Sequence, residues 1–252
     1  MPAEVRGVRR RATVSLQAIV ANAAILASAP GRDVSLSSVF ADLRADACGH
    51  GLLPVADALA AAGIGGFVVS DHQARAQLAT RHSGVHVQIG ATDEHTAADP
   101  PLLGPELFGL GDQNPESASA LRAALRLTSE VLSVKRVPAG SGVSYGYTYR
   151  TPTETTLVLS GLGFADGIPR VASNRAPVLV GSVLARVTGR IAMDQFVVDV
   201  GEALPSVGDT VVLFGDGTDG EPTAADWARA TGIPSDVIVT GLGTRIERVY
   251  SQ

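Results

Sequence analysis

Hydrophobic and polar positions follow two rhythms along this chain, and the change falls near residue 127. Over the first hundred residues short apolar runs alternate with helical patterns. Ile19, Ala23, Leu26 and Ala27 share one face of a helix predicted over 15–29. A short apolar run covers 38–43, and a helix over 53–62 ends at Gly63. The run GFVVS at 66–70 predicts a buried strand, and 71–81 a helix with Asp71 as its N-cap. A further strand is expected at 85–89, then a loop rich in Thr, Asp and Pro over 91–101, a fourth strand at 106–110 and a helix at 116–125. Strands and helices in alternation imply a parallel sheet.

Beyond residue 127 the runs become short and alternating, at 129–137, 155–160, 178–180, 182–187, 195–200 and 210–214, with Gly and Pro between them. That pattern belongs to an antiparallel barrel or sandwich. A helix over 224–231 follows, capped by Thr223 or Pro222. The expected fold is therefore α/β plus β: a domain over 1–115 and a β-domain over 116–252. A complete eight-stranded α/β barrel takes about 200 residues or more. The first domain is about half that size, so it reads as a truncated (β/α) barrel-like layer.

Composition narrows the function classes. With 20 basic and 25 acidic residues the formal net charge is −5, which argues against a nucleic-acid partner. One cysteine excludes an internal disulfide. No run reaches the roughly 20 apolar residues of a membrane span. Arg9, Arg10 and Arg11 ahead of an apolar stretch imitate a secretory signal, but Gln17 and Asn22 make a poor export core. An amphipathic helix and a cytoplasmic location are expected instead. Lys135 is the only lysine, so any chemistry needing a lysine amine has one candidate, and it reads as an exposed strand side chain. Cys48, close to His50, reads as a small core residue rather than a nucleophile. His72, His82, His86 and His95 lack metal-ligand spacing. The run Gly215-Asp216-Gly217-Thr218-Asp219-Gly220 lacks the glutamate a calcium loop needs at its twelfth position and reads as a hairpin turn.

Several ordered blocks carry a family resemblance. Arg44-Ala45-Asp46-Ala47-Cys48-Gly49-His50-Gly51 follows the first expected barrel strand. Val137-Pro138-Ala139-Gly140 precedes Val143-Ser144-Tyr145-Gly146-Tyr147-Thr148-Tyr149. Gly163 to Arg170, then Ser173-Asn174-Arg175, form the next block, and Gly189-Arg190-Ile191-Ala192-Met193-Asp194-Gln195 the one after. Val207-Gly208-Asp209 and Leu213-Phe214-Gly215 complete the series. In this order the blocks resemble the alanine racemase family across nearly the whole chain, with a gap between about 91 and 101.

The resemblance implies a β-domain of alanine racemase type and a head-to-tail dimer in which one subunit's barrel meets the other's tyrosine. It also implies pyridoxal phosphate (PLP), held as a Schiff base by a lysine that shares proton transfer with that tyrosine. Arg44 stands in the lysine position, and a guanidinium is no nucleophile. Leu102 stands where an arginine would meet the pyridine nitrogen, Pro105 removes an N–H from the phosphate site, and Thr244 replaces a phosphate-binding tyrosine. The resemblance assigns Tyr145 and Arg44 the catalytic positions, and Met193, Asp194, Phe164 and His50 the substrate side; His50 also reads as a structural hydrogen-bonder. The resulting expectation is a homodimer without PLP. It would be repurposed as an isomerase, cyclase or lyase on a small, anionic biosynthetic metabolite. A non-catalytic binding protein and a residual PLP-dependent racemase are the alternatives.

Overall fold

The computed structural model describes residues 7–29, 31, 33–90, 100–110 and 121–251. They form two compact units. Of the described residues, one unit takes those between 13 and 125 with 250–251, and the other 7–12 with 126–249.

Arg10 and Arg11 of the arginine run belong to a strand, β1 (Arg10–Ser15). Ala12 and Val14 point inward, while Arg9 and Arg11 meet Glu130 and Glu247. Ser15 caps the helix Leu16–Ala27, its hydroxyl accepting from the Ala18 N–H at 3.1 Å. Buried Asn22 ties that helix down: its amide donates to the Leu107 and Arg122 carbonyls and accepts from the Arg122 N–H.

In this α/β unit four short strands, β2 (Phe40–Asp42), β3 (Gly66–Val69), β4 (His86–Ile89) and β5 (Leu102–Leu103), form a parallel sheet in the order β4-β3-β2-β5. The helices Leu52–Ala61 and His72–Arg81 lie where their periodicity puts them, and Asp71 caps the second at 2.8 Å. Residues 106–110 are not a strand. Pro105 starts a 3-10 turn, Pro105–Phe108, and the preceding Leu102–Leu103 pairs with β2 instead. Residues 121–124 have no helical structure and Leu125 begins a strand; 91–99 and 116–120 lie outside the described residues. The division between units falls at 125/126 rather than 115, because the strand that opens the β-unit is longer than its periodic core suggests.

The β-unit is built from β6 (Leu125–Val137), a hairpin of β7 (Gly142–Val143) and β8 (Tyr149–Arg150), then β9 (Thr155–Ser160), β10 (Pro177–Val180), β11 (Val183–Thr188), β12 (Phe196–Asp199), β13 (Thr210–Phe214) and β14 (Glu247–Ser251). Six of them close a barrel in the order β13-β10-β11-β12-β9-β6, with β6 pairing back to β13. Val180 sits opposite Val183, so the β10–β11 turn has two residues, and Gly181 supplies its φ of 59°. Val158, Val178, Val198, Val211, Leu213 and Phe196 fill the interior.

The helix Ala224–Thr231 lays Trp227 across this core. The indole N–H donates to the Pro177 and Leu213 carbonyls, and the ring meets Phe214 edge-on at 5.8 Å. The 215–220 run is no hairpin: Gly215 bridges in parallel to Thr223, and the loop leads from β13 into that helix. Among the described residues no helix is long and apolar enough to cross a membrane.

Candidate functional site

Immediately after β2 the backbone leaves the usual regions. Ala45, Asp46, Ala47 and Cys48 are all left-handed, with φ from 51° to 57°. Such a conformation costs roughly 1–2 kcal/mol per residue and is normally confined to single residues. Here hydrogen bonds hold four in succession. Ala47 N–H donates to the Leu43 carbonyl, Gly49 N–H to Ala45, and Gly51 N–H to Asp46. The Asp46 carboxylate also accepts from the Leu52 N–H at 2.7 Å, which starts the next helix. His50 is fully buried; its Nδ1 lies 3.1 and 3.0 Å from the Ala47 and Cys48 carbonyls and its ring stacks on Phe108 at 4.4 Å. In this position the side chain braces the turn.

Arg44 leads into this segment, and its guanidinium is committed. Nε donates to Asp42 Oδ1 at 2.8 Å and a terminal nitrogen to Oδ2, while the Arg44 N–H also donates to Oδ1. Hydrogen bonding to Asp42 pushes the Arg44 pKa further up. Asp42 escaped the sequence reading. Its signal was a carboxylate inside an apolar strand, two residues ahead of an arginine, a spacing that puts both on one face.

The other candidates lie in the β-unit. Tyr145 sits at the tip of the β7–β8 hairpin and is 72% exposed. Ser144 at φ 58° and Gly146 at 73° turn the backbone sharply around it, and the Ser144 hydroxyl donates to the Arg190 carbonyl. A Cβ on Gly189 would stand 2.8 Å from both the Ser144 side chain and the Val143 carbonyl, so only glycine fits beneath the hairpin.

The same loop, 189–195, continues to Met193 (56% exposed) and Asp194. It then meets the Phe164 segment: Phe164 N–H donates to the Ala192 carbonyl at 3.0 Å and Ala165 N–H to Met193 at 2.9 Å. Phe164 is partly exposed, with Arg170 over its ring at 5.5 Å. Tyr145, Phe164, Met193 and Asp194 are thus carried by segments joined through one loop, whereas Arg44 and His50 belong to the α/β unit.

Asp194 is itself steered by Arg245, another residue the sequence reading passed over. Arg245 reaches Asp194 at 2.7 Å and the fully buried Asp166 at 2.9 Å, and Asp166 also accepts from the Gly163 N–H. Bonding to Asp194 and then Asp166 raises the Arg245 pKa.

The model for the C-terminal domain of alanine racemase matches residues 124–250. The chain belongs to the alanine racemase family. The alanine racemase of Streptomyces coelicolor is 56% identical over 130 residues, which cover 52% of this chain and 33% of that protein. That of Beutenbergia cavernae is 45% identical over 180 residues, covering 67% of this chain and 47% of that protein. The chain thus spans between a third and a half of the length of these curated relatives. Among solved structures, the Streptomyces coelicolor alanine racemase superimposes with a TM-score of 0.82 at 29% identity, covering 96% of this chain and 98% of that one.

These relatives overturn the expectation of an enzyme repurposed for other chemistry on another metabolite. At 45–56% identity they are alanine racemases. They do not restore the family's covalent cofactor anchor to this chain. Arg44, which the resemblance puts in the lysine position, binds Asp42 through Nε and one terminal nitrogen, and the single lysine, Lys135, is exposed on β6 of the other unit. These residues do not fit covalent attachment of PLP.

Proposed function

We propose that this chain serves alanine racemisation as the tyrosine-bearing half of an active site completed by a related, lysine-bearing racemase chain. Racemisation requires a proton to leave one face of the α-carbon and return on the other. A phenol on a fixed backbone can exchange that proton on one face. The observation that carries the reading is Tyr145, exposed at the tip of a hairpin locked onto the 189–195 loop. Met193 and Asp194 on that loop are the groups next to a small amino-acid substrate, with Phe164 beside them. A homodimer, the pairing suggested by the sequence, puts arginine in both lysine positions, so the productive assembly is mixed. It forms in the cytoplasm and contacts neither nucleic acid nor membrane.

Complementation tests this. A full-length racemase whose own tyrosine (the one aligned with Tyr145) is changed to phenylalanine is mixed with this chain, and conversion of L- to D-alanine is followed. Rescue by the wild-type chain and not by Tyr145→Phe supports the proposal. No rescue, although the two chains co-purify, sinks it.

A further inference from the structure

The outer face of the β-unit holds a cleft of about 390 Å³ that is not part of the Tyr145 site; Asn174, Arg175, Pro177, Arg186, Asp226 and Arg229 line it. Its charge is distinctive. Three arginines face one aspartate, leaving an excess of two positive charges on a chain whose formal charge is −5. Many arginines elsewhere pair with carboxylates, among them Arg9, Arg10, Arg11, Arg44, Arg81, Arg126, Arg136 and Arg245, whereas the cleft gathers two that do not. In the cleft only Arg229 is matched, to Asp226. Among the described residues Arg175 and Arg186 have no carboxylate partner.

The backbone that carries the arginines is held in place before anything binds. Asn174, at φ 61°, is held on both ends of its amide: Nδ2 donates to the Thr148 hydroxyl at 3.1 Å, and Oδ1 accepts from the Gly189 N–H. The Arg175 N–H donates to the Ala172 carbonyl. Arg186 lies opposite Pro177 in the β10–β11 register. The third wall is the helix Ala224–Thr231, whose Asp226 accepts from the Thr223 N–H and hydroxyl as well as from Arg229. Asp226 is therefore saturated and leaves the field of the other two arginines uncancelled.

The geometry points to a binding site for a small phosphomonoester. Two guanidinium forks match a dianion with three terminal oxygens, whereas one fork satisfies a carboxylate. The volume falls within the 300–1,000 Å³ range of small-molecule sites and leaves room for an organic group beside the phosphate. A cleft with a net positive charge also concentrates anions on a chain whose formal charge is −5. The inference stands apart from the racemisation proposal and does not depend on it.

Trp227, the only tryptophan, lies on the helix that forms one wall and provides the reporter. Glycerol 3-phosphate and inorganic phosphate are titrated at constant ionic strength, with fluorescence and calorimetry read in parallel. Saturable binding is expected. The double variant Arg175→Gln/Arg186→Gln weakens it at least about tenfold. Arg75→Gln, on an exposed helix of the α/β unit, leaves it unchanged. Tighter binding of the ester confirms the organic part; phosphate binding as tightly reassigns the cleft to the free ion and overturns the ester. No saturation by either probe, or equal affinity in wild type and double variant, overturns the site altogether.

Discussion

The two units differ in how they present the side chains that the sequence singled out. In the β-unit Tyr145, Met193 and Phe164 stand exposed on a scaffold whose strain and close packing lie in the backbone beneath them. In the α/β unit the scaffold is also strained, through four left-handed residues, but the side chain it presents is bound to its own neighbour, Asp42. Backbone geometry alone therefore does not leave a side chain available. The β-unit has both the turn and an available group; the α/β unit has the turn, and its charge is internally neutralised.

The largest effect that separates the units is on activity. Tyr145→Phe should lower rescued racemisation by about 10²–10⁴-fold, the usual contribution of a positioned acid–base group, without altering the circular dichroism. Arg44→Gln should leave the rescued rate within about threefold, as a residue outside the chemistry does. A large loss from Arg44→Gln breaks the comparison, because the α/β strand end would then be catalytic as well.

Next comes stability. Asp42→Asn leaves the Arg44 guanidinium, only 19% exposed, without its counter-charge. Breaking such a pair should lower unfolding stability by about 2–3 kcal/mol, less than for a fully buried one. The matching change in the β-unit, Glu202→Gln, touches a carboxylate that is 81% exposed beside Arg136 and should change stability by less than about 0.5 kcal/mol. Urea midpoints measure both. Equal effects would mean that the Asp42–Arg44 pair is solvated.

These contrasts also explain what the sequence made legible. The six barrel strands of the β-unit could be read from the sequence, because alternation over 129–137 and 155–160 is local, whereas the short β7 and β8 and the terminal β14 gave no such signal. The α/β layer was readable as strand and helix, but two of its features were not. Pro105 reads equally as the edge of a strand and as the start of a 3-10 turn, and only the pairing of Leu102–Leu103 with β2 decides. The left-handed run is invisible in composition, since Ala45 and Ala47 are ordinary helix formers. Strand β1 was hidden because Arg9 just before it and its own Arg10 and Arg11 are matched by Glu130, Asp166 and Glu247, all distant in sequence. Asp42 and Arg245 matter through partners, and pairing at that distance is not a local signal.

A third test uses pH and acts on the β-unit alone. Burial, and then the hydrogen bond to Asp199, push the Tyr149 phenol up to about 12 from its ordinary 10.0. The folded-state value is the higher one, so the stabilisation is fully present below pH 10 and is lost as pH rises toward about 12. Its size is about 1–2 kcal/mol once partial exposure is discounted. Tyr149→Phe should flatten the decline between those limits; an unchanged decline would show that Tyr149 ionises freely.

The smallest effect tests whether the strained turn of the α/β unit is built as described. Ala45 has φ 52° and ψ 50°, a conformation glycine adopts without the steric penalty an alanine Cβ incurs. Replacing it with glycine relieves roughly 1–2 kcal/mol in the folded state and loses about 0.4–1 kcal/mol through the greater freedom of the unfolded chain. Ala45→Gly should therefore raise stability by about 0.5–1 kcal/mol. Ala58 provides the internal control: it lies within the right-handed helix Leu52–Ala61, where the same change should lower stability by about 1 kcal/mol. Opposite signs for two alanine-to-glycine changes 13 residues apart cannot come from side-chain loss, which is identical in both. They can come only from the hand of the backbone. If both substitutions destabilise alike, the left-handed run is absent in solution. The α/β unit would then differ from the β-unit in its backbone as well as in its neutralised arginine.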